Sequence, residues 1–515
     1  MISIDTLPDE ALLAIFDFCL GGHQDLEDIK TWQSLIHVCR RWRSIVFGSP
    51  RRLNLRIAGT PKTPVRDLLG VWPDLPIVIR DTYTIDPIEG LYNIIALLEH
   101  SHRVCKIHLG VPSSHFEEVS AAMEVPFPEL TELELTSYDL VGRVPADPVL
   151  RDSFLGGSAP RLRRLALTNL LFPGLPKLLL SATHLVELFL FDLPLSEYIS
   201  PEMLVIALSA MTNLRLLSLR LQSPQSRHDQ AHRRLSPPTL PTRAVLPVLT
   251  FFGFQGFSEY LEDLLARIDA PLLGHFFVTY NPPLFNTTQF AQFIGRTPKL
   301  KEFKKACVWF GNQSARVDLS KKTDYGSLTV TASLRGLERQ LLSLEQACIT
   351  SLPPLSTSED LDICEDLYWR PDGRDRSEIT LWLGLLCPFI AVKNLYLSEE
   401  FAPRIIRALQ EPVVGGTTEV LPSLQNIFLE RLKPSGPIQE AIGQFVAARQ
   451  VTSYPIAVSR WDRKSFLASD DRDKMVRYAI SAAREEGIRQ RVEDTREDNE
   501  QDRLDDIQLS AQHTI

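Results

Sequence analysis

One short apolar pattern recurs along this chain and limits what it can fold into. It reads as an apolar residue, two others, a second apolar residue, one other, and a third. Copies stand at Val104/Ile107/Leu109, Leu130/Leu133/Leu135, Leu162/Leu165/Leu167, Leu185/Leu188/Leu190, Leu214/Leu217/Leu219, Leu249/Phe252/Phe254 and Leu273/Phe276/Val278. Two late copies follow at Val392/Leu395/Leu397 and Leu424/Ile427/Leu429. The last two positions of each copy alternate, as in a strand whose every second side chain enters a core. Adjacent copies lie 23 to 35 residues apart, which suits one supersecondary unit per copy rather than one domain per copy. Helical spacing fills several intervals, over residues 90–100, 201–212, 258–270 and 286–297. Pro128, Pro160, Pro298 and Pro422 stand just before strands and stop the preceding helix. The pattern predicts a curved α/β solenoid over residues 51–461. The competing reading is a layered α/β domain in which the strings are chance.

The edges of the pattern are less regular. Residues 51–57 alternate like a first strand, and 75–79 give another. Between 300 and 391 the copies degenerate: Leu300/Phe303 begins one that fails at Lys305, and only Leu328/Val330 and Leu361/Ile363 echo it. Residues 222–244 are rich in Pro, Ser and Arg with no apolar period, and are expected to be a mobile loop. From 462 to 515 the chain is highly charged. Met475, Ala479, Ile480 and Ala483 offer one marginal helix, and the remainder is expected to be disordered.

Composition narrows the function classes. At 515 residues and 44% hydrophobic content the chain can bury a large core. Its seven cysteines are scattered and form no CxxC pair, which points to a reducing, cytoplasmic or nuclear setting. The N-terminus is acidic, unlike a secretory leader, and the most apolar run, 381–392, is too short to span a bilayer. A net charge of −9 argues against a general nucleic-acid binder. There is no GxxxxGK[ST], HExxH, GxSxG or GxGxxG string, so no enzyme activity and no cofactor are expected. His100, His102, Cys105 and His108 are zinc-ligand types. However, Cys105 and His108 should face opposite sides of a repeat strand, so no metal site is expected there. Arg40, Arg41, Arg43, Arg51, Arg52 and Arg56 form a basic patch, read as a solvated face.

Residues 4–47 differ from the rest. Pro8 suits a first helical turn, and Asp9 and Glu10 suit the positive end of its dipole. Ala11, Leu12, Leu13, Ile15, Phe16, Phe18, Cys19 and Leu20 then give the helix more than one apolar face, and Gly21-Gly22 ends it. A second helix carries Trp32, Leu35, Cys39, Trp42 and Val46 at spacings of three and four. Two helices this short cannot enclose all that surface themselves and need a partner. Leu7-Pro8-Asp9-Glu10, Ile15-Phe16 and Val38-Cys39-Arg40-Arg41-Trp42-Arg43 resemble the F-box, here residues 1–50. The resemblance departs in a long connector at 21–30 and in Cys19, where Leu is common. With the repeats, the chain resembles fungal F-box proteins that carry an irregular leucine-rich-repeat-like domain.

That resemblance implies a substrate receptor of an SCF-type cullin ubiquitin ligase. The F-box would hold the ligase adaptor through Leu7, Pro8, Ile15, Leu35, Val38 and Cys39, with Trp42 anchoring the hairpin to the rest of the chain. The alternative is an F-box scaffold acting outside any ligase. A target would meet the side chains that point away from the core. Among these, Phe189, Phe191, Phe251, Phe277, Tyr396 and Phe428 put aromatics where a plain surface would be polar, and are predicted to bind the target. Neither nucleic acid nor membrane is an expected partner.

Overall fold

The computed structural model describes residues 4–461 apart from 21–31, 82–87, 139–147, 194–198, 222–242, 281–287, 322–325, 367–377, 411–419, 431–439, 448–455 and a few single positions. The connector at 21–30, nearly all of the 222–244 segment and the charged tail lie outside the described residues.

Each apolar copy becomes one strand. In chain order the strands of the described residues, with these nine among them, are β1 (Ile57–Gly59), β2 (Ile77–Asp81), β3 (Val104–Pro112), β4 (Glu132–Tyr138), β5 (Arg164–Thr168), β6 (Glu187–Leu193), β7 (Leu216–Leu221), β8 (Ala244–Val245) and β9 (Phe251–Gly256). They continue as β10 (Ile268–Asp269), β11 (His275–Tyr280), β12 (Lys305–Phe310), β13 (Ala315–Ser320), β14 (Ser327–Ala332), β15 (Asp360–Glu365), β16 (Asn394–Leu397), β17 (Asn426–Glu430) and β18 (Ala457–Trp461). Except in β3, which begins at Val104 itself, the first residue of a copy sits in the turn before its strand. Leu130, Leu162, Leu185, Leu214 and Leu273 each donate their amide to the carbonyl three residues back. The next residue then reaches the previous unit, as Thr131 does to the Cys105 carbonyl and Val186 to that of Arg163. This explains the spacing: the leading leucine fills the core under the turn, and the two alternate residues fill it under the strand.

Sixteen strands form one sheet, in the order β1-β2-β3-β4-β5-β6-β7-β9-β11-β14-β13-β12-β15-β16-β17-β18. All neighbours are parallel except the two pairs that involve β13. Outside that interruption each strand is added on the same side of the last, so right-handed crossovers place the intervening helices on one face. Packing agrees. Phe276 of β11 meets Phe290 and Phe293 of the helix Thr288–Arg296, with ring centroids 5.5 and 5.6 Å apart. Phe310 of β12 meets Trp382 of the helix Glu378–Leu386 at 5.5 Å. Leu133, Leu135, Leu165, Leu167, Leu188 and Leu190 are fully buried on this side. The opposite, open face carries the side chains between them.

Three expectations need correcting. Residues 51–57 do not form a strand. The run turns at Asn54, whose φ is +49°, and only Ile57–Gly59 pairs, although Leu53 and Leu55 are buried. The end of the 222–244 segment is structured, since Ala244–Val245 pairs with Ile268–Asp269 within the predicted 258–270 helix. The degenerate region holds an antiparallel meander. The chain leaves β11, skips two places to form β12, returns through β13 and β14, and crosses under the helix Leu337–Ser351 to β15. Its inward residues are Ala306, Val308 and Phe310, so the phase shifts by one and Lys305 points outward.

No helix among the described residues is long and apolar enough to cross a membrane.

Candidate functional site

The N-terminal helix Asp9–Leu20 buries Leu12 and Phe16, one turn apart, and leaves its opposite stripe uncovered. Ile15 is 40% exposed and Phe18 is 89% exposed. The predicted second helix is broken. Residues 32–36 are helical, the chain then opens, and Cys39 (φ −157°, ψ 171°) caps a new helix Arg40–Gly48 by accepting the Trp42 amide on its sulfur. The break puts Val38 outward, 59% exposed. Arg41 ties this helix to the N-terminal one through Asp9 at 2.6 Å and the Leu7 carbonyl, and Arg43 joins the two pieces by donating to the Ile36 carbonyl. These arginines therefore hold the hairpin together instead of forming a free basic face.

Of the predicted adaptor contacts, Pro8, Ile15 and Val38 are exposed, while Leu7, Leu35 and Cys39 are half-buried. Phe18 joins this surface and was missed, although its spacing of three from Ile15 was there to read. Trp42 is not the anchor to the sheet: it packs on Phe16, inside the hairpin, with centroids 4.7 Å apart. Trp32 is the anchor. It is 2% exposed, stands 5.1 Å from Trp72, and donates its indole N–H to the Arg56 carbonyl beside β1.

On the open face of the sheet the registers align side chains into rows. One row runs His108, Glu134, Ala166, Phe189, Ser218, Gly253 and Phe277. It continues through Thr329, Asp318, Cys307, Asp362, Tyr396 and Phe428. The six predicted target-binding aromatics all lie on this face, in two groups. Phe189 and Phe191 are 5.9 Å apart on β6, and Phe251 stacks on Phe277 at 5.4 Å on β9 and β11. Gly253 makes room for this group, because a Cβ there would stand 3.0 Å from the Ser218 hydroxyl and 3.3 Å from Phe251. Tyr396 and Phe428 stack at 4.5 Å, with Trp461 at 5.2 Å from Tyr396. Five strand spacings, about 24 Å, separate β11 from β16, so the six are not one patch. Phe191 is buried, under the Arg220 guanidinium, and the other five are half-buried.

Between and beside these groups the face is polar. Asn426 donates to Asn394, and Asn394 to Asp360, at 2.8 and 2.6 Å, a side-chain ladder along β17, β16 and β15. At the other end His108 lies 3.4 Å from both Glu132 and Glu134, with Lys106 on Glu132 and Arg164 on Glu187. Burial opposes the imidazolium, but the two carboxylates outweigh it and raise the His108 pKa above 6.5. Glu132 is penalised by burial too, yet His108 and Lys106 bring it down to about 2. A group whose folded pKa is raised stabilises the fold fully below its unfolded pKa, and the gain is lost as pH rises through the folded value. As pH rises from below 6.5 through the raised folded value, the melting temperature is therefore expected to fall by more in the native chain than in His108→Gln. Equal falls in the two would sink this assignment.

The His/Cys run gathers no ligand set. Cys105 donates to the Ile77 carbonyl, while His108 points into the carboxylate cluster. The metal-ligand types that do converge among the described residues lie elsewhere, at Cys307, Asp362 and Cys364.

A family model described as F-box-like matches residues 4–53, so the chain carries an F-box-like domain at its N-terminus. A search of curated proteins finds no match. Among solved structures, the chain is similar to the leucine-rich repeat-containing protein LegL7 from Legionella pneumophila. The two are 14% identical with a TM-score of 0.24, over 76% of this chain and 96% of that one.

Proposed function

We propose that the chain is a non-catalytic substrate receptor of an SCF-type cullin ubiquitin ligase, as its resemblance to fungal F-box proteins implies. One observation carries the reading. The F-box-like hairpin buries one side against the sheet through Trp32, yet keeps Ile15, Phe18 and Val38 exposed on the other. An apolar stripe left uncovered on so small a unit suits a protein partner, here the ligase adaptor. The open face of the sheet would then hold a target, with the Phe189/Phe251/Phe277 group as its apolar centre. Such a receptor acts by proximity: it raises the concentration of target near a ubiquitin-loaded enzyme and needs no acid, base or nucleophile. Cytoplasm or nucleus is the compartment this role requires.

The test is co-expression of the full chain with the adaptor, followed by capture of cullin. Adaptor and cullin should both co-purify. Adaptor without cullin would favour a scaffold outside the ligase, and neither would reject the reading. In the same cells, Phe189→Ala with Phe251→Ala should reduce recovery of proximity-labelled targets and leave adaptor binding intact.

A further inference from the structure

We propose that Cys307, Asp362 and Cys364 bind a thiophilic divalent cation, with Zn²⁺ the best match, on the open face of the sheet. The placement follows from register. Cys307 of β12 is directly opposite Asp362 of β15, and Cys364 lies two residues further along β15, hence on the same face. One sulfur from each cysteine and one carboxylate oxygen all lie within 4.8 Å of one another. The two sulfurs are 3.8 Å apart. Two thiolates bound to a tetrahedral zinc at bonds of about 2.3 Å stand about 3.8 Å apart, so the pair is already at the edge length of that polyhedron. A carboxylate is the third ligand type zinc accepts, and three protein ligands leave the fourth position to water.

The surroundings favour a closed set of three. Asp362 is 8% exposed and Cys364 is 2% exposed. Register puts Trp309 beside Cys364 and Tyr396 beside Asp362, so rings flank the ligands. Asp318, opposite Cys307, is committed elsewhere: it accepts from Thr329 at 2.7 Å and pairs with Arg316 at 2.8 Å. It serves as a neighbour that orders the rim, not as a fourth ligand. Binding is balanced by loss of one proton from each thiol to solvent, with no change of oxidation state.

The full chain, purified under reducing conditions and stripped with a chelator, would be titrated with Co²⁺ and then Zn²⁺. One Co²⁺ per chain should develop the visible bands of a tetrahedral site and a thiolate charge-transfer band, and Zn²⁺ should displace it. Cys307→Ser with Cys364→Ser should abolish the signal, Asp362→Asn should weaken affinity at least tenfold, and Cys387→Ser should change nothing. In the unsubstituted chain, Zn²⁺ should slow alkylation of Cys307 and Cys364, but not of the exposed Cys387, as mapped by mass spectrometry. That arm does not depend on whether a variant folds. Absence of a thiolate–cobalt band, its survival in the double variant, or equal alkylation with and without Zn²⁺ would each overturn the site.

Discussion

Replacing Ile15 and Phe18 together with Asp should weaken adaptor binding at least ~100-fold and leave the melting temperature unchanged. Both side chains are exposed and neither belongs to the buried core, so the folded chain loses little core contact when they change. What changes is the docking surface, which would have to bury two carboxylates in place of two apolar groups. An interface anchor typically costs about 2 kcal/mol or more when merely truncated, and each 1.4 kcal/mol is about a factor of ten. The contrast that makes the result readable is Phe16→Asp. Phe16 is fully buried against Trp42, and a charge there should unfold the hairpin and abolish binding by a different route. Calorimetry with the purified adaptor gives the affinity, and thermal denaturation gives the fold. Full binding by the Ile15/Phe18 variant would place the docking surface elsewhere.

The second large effect should come from a pair of adjacent positions on β11. Phe276 is fully buried among Phe252, Phe290 and Phe293, and it stacks on Phe252 at 5.1 Å. Phe277 points to the open face. Phe276→Ala removes a ring whose site cannot collapse around the loss, a change that costs about 3–5 kcal/mol. Phe277→Ala gives up one stacking contact with Phe251 on a half-exposed face, about 1 kcal/mol. The Phe276 variant should therefore melt many degrees lower and the Phe277 variant close to the parent. A reversal of that order would mean that the face assignment of the whole ladder is off by one residue.

The ladder itself was readable in the sequence because its signal is local. Three apolar residues within six positions specify a turn and a strand, and all nine copies became β3–β7, β9, β11, β16 and β17. The meander was not readable in that way. Strands β12–β14 fill the same core with Ala306, Val308, Phe310, Ala315 and Val317, but out of phase: Leu300 is buried in the turn before β12, too far ahead of Ala306 to complete the pattern, and β13 and β14 follow hairpins with no turn to fill under a helix. The same insertion hid the cation ligands. Cys307 and Asp362 are 55 residues apart, and only the crossing from β14 to β15 makes them neighbours. In the hairpin, the misplaced anchor has a different cause. Trp32 and Trp42 both fit a helical stripe, and only the extended Cys39, which breaks that stripe, decides which indole meets the sheet. Phe18 differs: its spacing from Ile15 is legible in the sequence, but which apolar face of the helix stays exposed is a tertiary fact.

The meander also fixes an order of events during synthesis. Within the large sheet, every earlier strand finds its place on the edge of the sheet strand made before it. β11 joins β9 in the same way, but the strand that pairs with its other edge is β14, and 46 residues lie between Tyr280 and Ser327. At about 5–20 residues per second, the ribosome needs roughly 2–9 s to deliver them. For that interval the nascent chain ends in an unpaired parallel edge that carries Phe276 and Phe277, the kind of edge that recruits foreign strands. The N-terminal block is thus a repeat array without its closing cap until the second hairpin of the meander has emerged.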